Sequence, residues 1–199
     1  MRKLATLAIA LLALVALAAP VYAQPENGDL GVYFDLGGTT SARPGTPGFA
    51  VFEFYVMGYN LGPTSGWESA LTLSQAGWNV IGTTLNPPNA LNVGQVGNFI
   101  VGLGVCVDSP GMHRLVTYQI GYFVSPVAPN DLILCTGGTN PSSFGGVPGY
   151  ASCASELIPF GAAQNGGDSY PNGCGVVNPT LEHPIANDAV SFGAVKAGF

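Results

Sequence analysis

The sequence predicts an all-β chain folded as a two-sheet antiparallel sandwich, with a loop-rich, disulfide-stapled extension over residues 136–199. Three observations carry this expectation. Short runs of period-two alternation recur along the chain, clusters of Gly, Pro and Asn separate them, and four cysteines follow a segment that reads as an export signal.

That segment is residues 1–23. Arg2 and Lys3 supply a positive start, an unbroken apolar run follows to Ala19, and Val21 and Ala23 place small residues at a cleavage site before Gln24. The apolar run is shorter than the roughly 20 residues a spanning helix needs, so a cleaved signal is expected rather than an anchor. Residues 24–199 then form a single domain with no membrane span in the mature chain. Losing Arg2 and Lys3 leaves Arg43, Arg114 and Lys196 against eleven carboxylates, a net charge of about −8. A surface of that sign repels phosphate backbones and anionic membranes, so nucleic acid is excluded as a partner.

The strands follow in order. Leu30, Val32, Phe34 and Leu36 alternate with Gly31, Tyr33 and Asp35; Phe52, Phe54 and Val56 share a face opposite Glu53 and Tyr55; Trp67, Leu71 and Leu73 oppose Glu68 and Thr72. Residues 78–85, 99–107, 113–124 and 131–135 are further strands. In the run from His113, Val116, Tyr118, Ile120, Tyr122 and Val124 line one side and Thr117, Gln119 and Gly121 the other. No helical period with caps interrupts this series before the C-terminal end, and the spacing is that of a sandwich. Past Thr136 paired glycines and prolines break the chain into short pieces, one being a short strand over residues 156–160.

Cys106, Cys135, Cys153 and Cys174 read as two disulfides, for which three pairings exist. Proximity in sequence favours Cys106 with Cys135 and Cys153 with Cys174. A zinc site lacks a CxxC pair and has only His113 and His183 to draw on, so neither metal nor cofactor is expected.

A serine triad would need one of those histidines as its base, and there is no G-x-S-x-G elbow. Glycoside hydrolysis would need two carboxylates across a cleft; Glu53 and Glu68 are the strand-borne candidates, and their phase puts them on a solvated outer face. Asn27 with Asp29, Asn130 with Asp131, and Asn165 with Asp168 are thin calcium candidates better read as turns. Gly37-Gly38-Thr39-Thr40 lacks the Lys of a phosphate loop. Trp67, Trp78, Tyr33, Tyr55, Tyr150 and Tyr170 are the aromatic residues suited to stacking on a sugar. Trp67 shares a phase with core leucines, whereas Tyr33 and Tyr55 lie opposite the apolar phase of their strands and form the candidate ligand platform.

Residues 48–107 resemble the first half of cohesin-like sandwich modules and related carbohydrate-binding modules. The likeness lies in an apolar strand from Phe49 to Met57, the polar turn Tyr59-Asn60-Leu61-Gly62, and the Gly-x-x-x-x-Leu-x-Leu pattern from Gly66 to Leu73. It implies a cohesin-like or immunoglobulin-like sandwich. The ending Ser191-Phe192-Gly193-Ala194-Val195-Lys196 resembles that of secreted bacterial proteins with an aromatic-Gly-x-x-Lys motif, which implies export and no activity. The expectation is therefore a secreted, non-catalytic protein of the cell surface, periplasm or medium, with a binding or structural role and a carbohydrate or another extracellular protein as partner. The alternative is a secreted hydrolase acting on polysaccharide or another extracellular polymer.

Overall fold

The computed structural model describes residues 28–44, 50–122, 132–162 and 173–177, and within them the chain is all strand, turn and loop. The expected signal segment 1–23 lies outside the described residues. In chain order the strands are β1 (Asp29–Tyr33), β2 (Ala42–Arg43), β3 (Ala50–Tyr59), β4 (Gly62–Leu73), β5 (Trp78–Leu85), β6 (Leu91–Asn92), β7 (Asn98–Ser109), β8 (Met112–Tyr122), β9 (Leu132–Gly137), β10 (Gly149–Ser152), β11 (Leu157–Pro159), β12 (Gly161–Ala162) and β13 (Gly175–Val177).

They form two sheets. One runs β12-β1-β3-β8-β5. In the other, β4 is central: β7 flanks one side with β6 beyond it, while β9 and β10 share the other side, pairing with successive parts of β4. Neighbours are antiparallel except for two short parallel pairs, β1 with β12 and β2 with β13. The β3–β4 turn falls at the polar turn read from sequence. Asn60 adopts φ 44, a region that Asn tolerates better than most residues, and its side chain accepts a hydrogen bond from the Gly111 N–H.

Strand phase decides the core. Leu30, Val32, Phe52, Phe54, Val56, Trp67, Phe99, Val101, Val116, Tyr118, Ile120, Leu132 and Leu134 meet between the sheets, as the alternation implied for those on β1, β3, β4 and β8. Aromatic rings tie the layers: Phe54 stacks on Tyr118 at 5.0 Å, Tyr118 meets Phe99 edge-on at 5.6 Å, and Phe99 lies 6.0 Å from Trp67. Leu36 departs from expectation and is 62% exposed, because β1 ends at Tyr33 and the chain turns at Asp35. That carboxylate accepts bonds from the N–H groups of Gly37, Thr39 and Thr40 and from the Thr39 hydroxyl, and so closes a turn. The described part of 136–199 is built of short strands joined into both sheets. It lends Tyr150, Phe160 and Val177 to the common core.

Both disulfides form, with a pairing different from the one favoured by sequence proximity: Cys106 with Cys153, and Cys135 with Cys174. The register explains the correction. Cys106 lies on β7 and Cys153 just past β10, the two strands flanking β4, and the Cys153 N–H donates to the Pro63 carbonyl of β4 itself. The first bridge therefore clamps across β4, and the second ties β9 to the segment entering β13, its neighbour. Cys106 and Cys153 are both exposed, whereas Cys174 is buried. Limited dithiothreitol followed by alkylation and peptide mass mapping should label Cys106 and Cys153 before Cys135 and Cys174, since thiol attack needs access to the sulfur. Simultaneous labelling of all four would show that local opening, rather than exposure, controls reduction.

Candidate functional site

The outer face of the five-stranded sheet is organised by register. Tyr33 of β1 stands beside Tyr55 of β3, Tyr55 beside Thr117 of β8, and Thr117 beside Thr84 of β5. Side chains in register share a face, and with strands about 4.8 Å apart this row is about 14 Å long. The next row is Glu53, Gln119 and Gly82, and the one after it Val51, Gly121 and Asn79. Glu53, Gln119, Thr84, Asn79 and Val51 are exposed, and Tyr55 and Thr117 are half-buried. The result is an open strip of one aromatic ring, amides and hydroxyls, with Glu53 as its sole charge.

The two tyrosines of the proposed platform are thus adjacent, but they are not equally available. Tyr33 is only 4% exposed: it packs on Met57, with Tyr55 and Met112 against the pair. The turn closed by Asp35 adds to the cover, since Gly38 (φ 65) sits so close against Met112 that a β-carbon there would collide with its side chain. Burial, and then the charges of Asp29 and Asp35, push the Tyr33 hydroxyl up to about 12. Tyr33 belongs to the support of the face and Tyr55 to its surface. Phase alone assigned both to the outer side; the turn that covers one of them is not encoded in the alternation.

Of the other aromatic candidates, Trp67, Trp78 and Tyr150 are core residues. Trp67 and Trp78 are buried, and among the described residues the indole N–H of each has no hydrogen-bond partner. Tyr150 is buried 5.1 Å from Phe160, and burial raises its hydroxyl. Tyr170 lies outside the described residues, as do His183, Asn27, Asn130, Asp131, Asn165 and Asp168.

Glu53 stands on the outer face as expected, but Glu68 does not face solvent. It is 2% exposed, because the excursion between β9 and β10 folds over it. Its carboxylate accepts bonds from the Ser142 hydroxyl (2.6 Å) and the Ser143 N–H (2.9 Å). Desolvation acts to raise this carboxyl. The Ser142 and Ser143 bonds, with the nearby Thr139 and Ser143 hydroxyls, outweigh it and hold the group below its ordinary value. Ser142 also accepts from the Phe144 and Gly146 N–H groups, so Glu68 anchors the whole excursion. His113 is half-buried; burial first, and then the charge of Arg114, lower its pKa. Among the described residues no three His, Cys, Asp or Glu side chains gather as a metal-ligand set, and no helix is long and apolar enough to cross a membrane.

No protein-family model matches the sequence, and no curated protein matches it. Among solved structures, the fold is similar to a non-cellulosomal cohesin from the hyperthermophilic archaeon Archaeoglobus fulgidus, at 12% identity and a TM-score of 0.41, covering 65% of this chain and 83% of that one. It is also similar to the sixth cohesin of scaffoldin B from Acetivibrio cellulolyticus, solved in complex with a mutant dockerin, at 12% identity and a TM-score of 0.47, covering 78% of this chain and all of that one.

Proposed function

We propose that this chain is an exported, non-catalytic binding module whose outer five-stranded face, centred on Tyr55, holds an uncharged extracellular polysaccharide. The observation that carries this reading is the register that sets Tyr55 beside Thr117 and Thr84, with Glu53 and Gln119 in the next row. One ring to stack on and several amides and hydroxyls to hydrogen-bond suit a polyhydroxylated ligand better than a charged one. The two disulfides support an oxidising compartment, and so export. The alternative of a secreted hydrolase is weakened by what its candidate carboxylates do: Glu68 is occupied as an anchor, and Glu53 stands on an open sheet face.

Affinity electrophoresis or column retention on neutral polysaccharides, with product release assayed in parallel, tests this reading. Tyr55→Ala with Gln119→Ala should weaken retention about tenfold, the equivalent of about 1.4 kcal/mol. The thermal midpoint should stay nearly unchanged and retention should persist in high salt, since stacking is not screened. Tyr33→Ala is the contrasting variant and should lower the midpoint, because that ring is buried. Unaltered retention in the double variant would sink the proposal, and release of sugar would favour the hydrolase.

A further inference from the structure

The turn that covers Tyr33, residues 35–40, is a strap with fixed feet. At one foot the Phe34 N–H donates to the Thr40 carbonyl at 2.7 Å, and just beyond it the Val176 N–H donates to the Ser41 carbonyl at 2.8 Å. Between the feet a single side chain does the closing. The Asp35 carboxylate gathers the Gly37, Thr39 and Thr40 N–H groups and the Thr39 hydroxyl. Apolar burial adds little, since Leu36, Gly37 and Thr39 are exposed and the strap's close approach to an apolar side chain is that of Gly38 to Met112. A segment clasped by one carboxylate opens locally while its feet, and so β1 and β2, stay in place.

Beneath the strap lies a ring that the outer face does not otherwise show. Tyr33 stands in register with Tyr55 on the neighbouring strand, about 4.8 Å away. Tyr55 is half-buried, whereas Tyr33 is only 4% exposed among Met57, Tyr55 and Met112. The fold therefore sets two tyrosines side by side on one face and covers one of them. Gly38 is what lets the cover seat. At φ 65 and with no β-carbon it lies against Met112, where a side chain would hold the strap off.

We propose that residues 35–40 gate Tyr33: the strap is closed in the free protein and lifts when polysaccharide binds, so that Tyr33 joins Tyr55 as a second stacking ring. This inference rests on the reading of the outer face as the polysaccharide site. The ligand gains the second ring only in the open state, and a difference of that kind is what moves a two-state equilibrium. A strap open in about a tenth of free molecules masks about tenfold of the affinity that both rings supply. Tyr33 thus has two roles in turn, support of the closed face and contact surface of the open one.

Retention on soluble β-glucan and xylan, with hydrogen exchange followed by NMR, tests the proposal. Asp35→Ala removes the clasp and should tighten retention about tenfold. Gly38→Val keeps the carboxylate but cannot seat against Met112, and should shift retention the same way. Asp35→Ala with Tyr33→Leu, which keeps an apolar side chain but offers no ring, should fall back to the wild-type level. In the wild type, added polysaccharide should speed exchange at the Gly37, Thr39 and Thr40 N–H groups, a readout that holds even where a variant fails to fold. Folded Asp35→Ala and Gly38→Val proteins that bind as the wild type does would overturn the strap, as would a ligand that slows exchange at those three groups. Either result beside a Tyr55→Ala, Gln119→Ala protein with weakened retention sinks the strap alone. Unaltered retention in that double variant, or no retention of the wild type on either polymer, sinks the face and the strap together.

Discussion

Cys135→Ser with Cys174→Ser is expected to lower the free energy of unfolding by about 4 kcal/mol in the chain-entropy account of a closed loop of this size. The bridge closes a separation of 39 residues, and Cys174 is itself buried. For a domain of this length the loss corresponds to a fall of about 8 to 16 °C in Tm. The damage should also have a location. β13 is three residues long and reaches β9 through one short antiparallel pairing, while among the described residues β2 joins the sheet by its parallel pairing with β13. Hydrogen exchange should therefore accelerate first at residues 175–177 and 42–43. A denaturant titration giving a loss below about 1 kcal/mol would mean that β13 is held by its own packing and not by the bridge.

The second large effect is expected at Glu68. Glu68→Ala should cost about 3 kcal/mol, since it removes charge-assisted bonds and leaves the Ser143 N–H and Ser142 hydroxyl without their acceptor under the excursion. The pH dependence has a definite sign. Hydrogen bonds hold the folded-state carboxyl below its ordinary 4.5, so the stabilisation is fully present above that value and is lost as pH falls through the lower, folded-state pKa. The stability gap between wild type and Glu68→Gln should accordingly be constant through neutral pH and shrink in acid. A gap that widened in acid would contradict the anchoring role. Proton exchange at residues 139–146 should rise in the variant ahead of global unfolding.

Much of the fold was legible because alternation is a local signal. Trp78 to Leu85 is a strand with the bounds read from sequence, and the run from His113 places Val116, Tyr118, Ile120 and Tyr122 inward and Gln119 outward as its pattern requires. What escaped depends on contacts between distant segments. The cysteine pairing is set by which strands flank β4, a matter of sheet order. The burial of Tyr33 and Glu68 comes from two covers, the Asp35 turn and the excursion bearing Ser142, laid over positions whose phase was read correctly. The sequence hints at both covers only weakly, through Asp35 ahead of Gly37-Gly38-Thr39 and through Ser142-Ser143 after Pro141. Thr117 and Gln119, already opposite the core phase, fall beside Tyr55 and Glu53 once β3 and β8 pair.

The two bridges interlace along the chain, and this bears on survival among proteases. A cut between residues 107 and 134 leaves the pieces joined through Cys106–Cys153, and one between 154 and 173 leaves them joined through Cys135–Cys174. A cut between 136 and 152, the stretch that includes the excursion over Glu68, leaves them joined twice. Side-by-side pairing of Cys106 with Cys135 and Cys153 with Cys174 would have let a cut there separate the chain into two molecules. With the observed pairing, one scission anywhere between the first cysteine and the last produces a nicked protein whose parts cannot diffuse away, and whose strands remain in place to re-form their contacts.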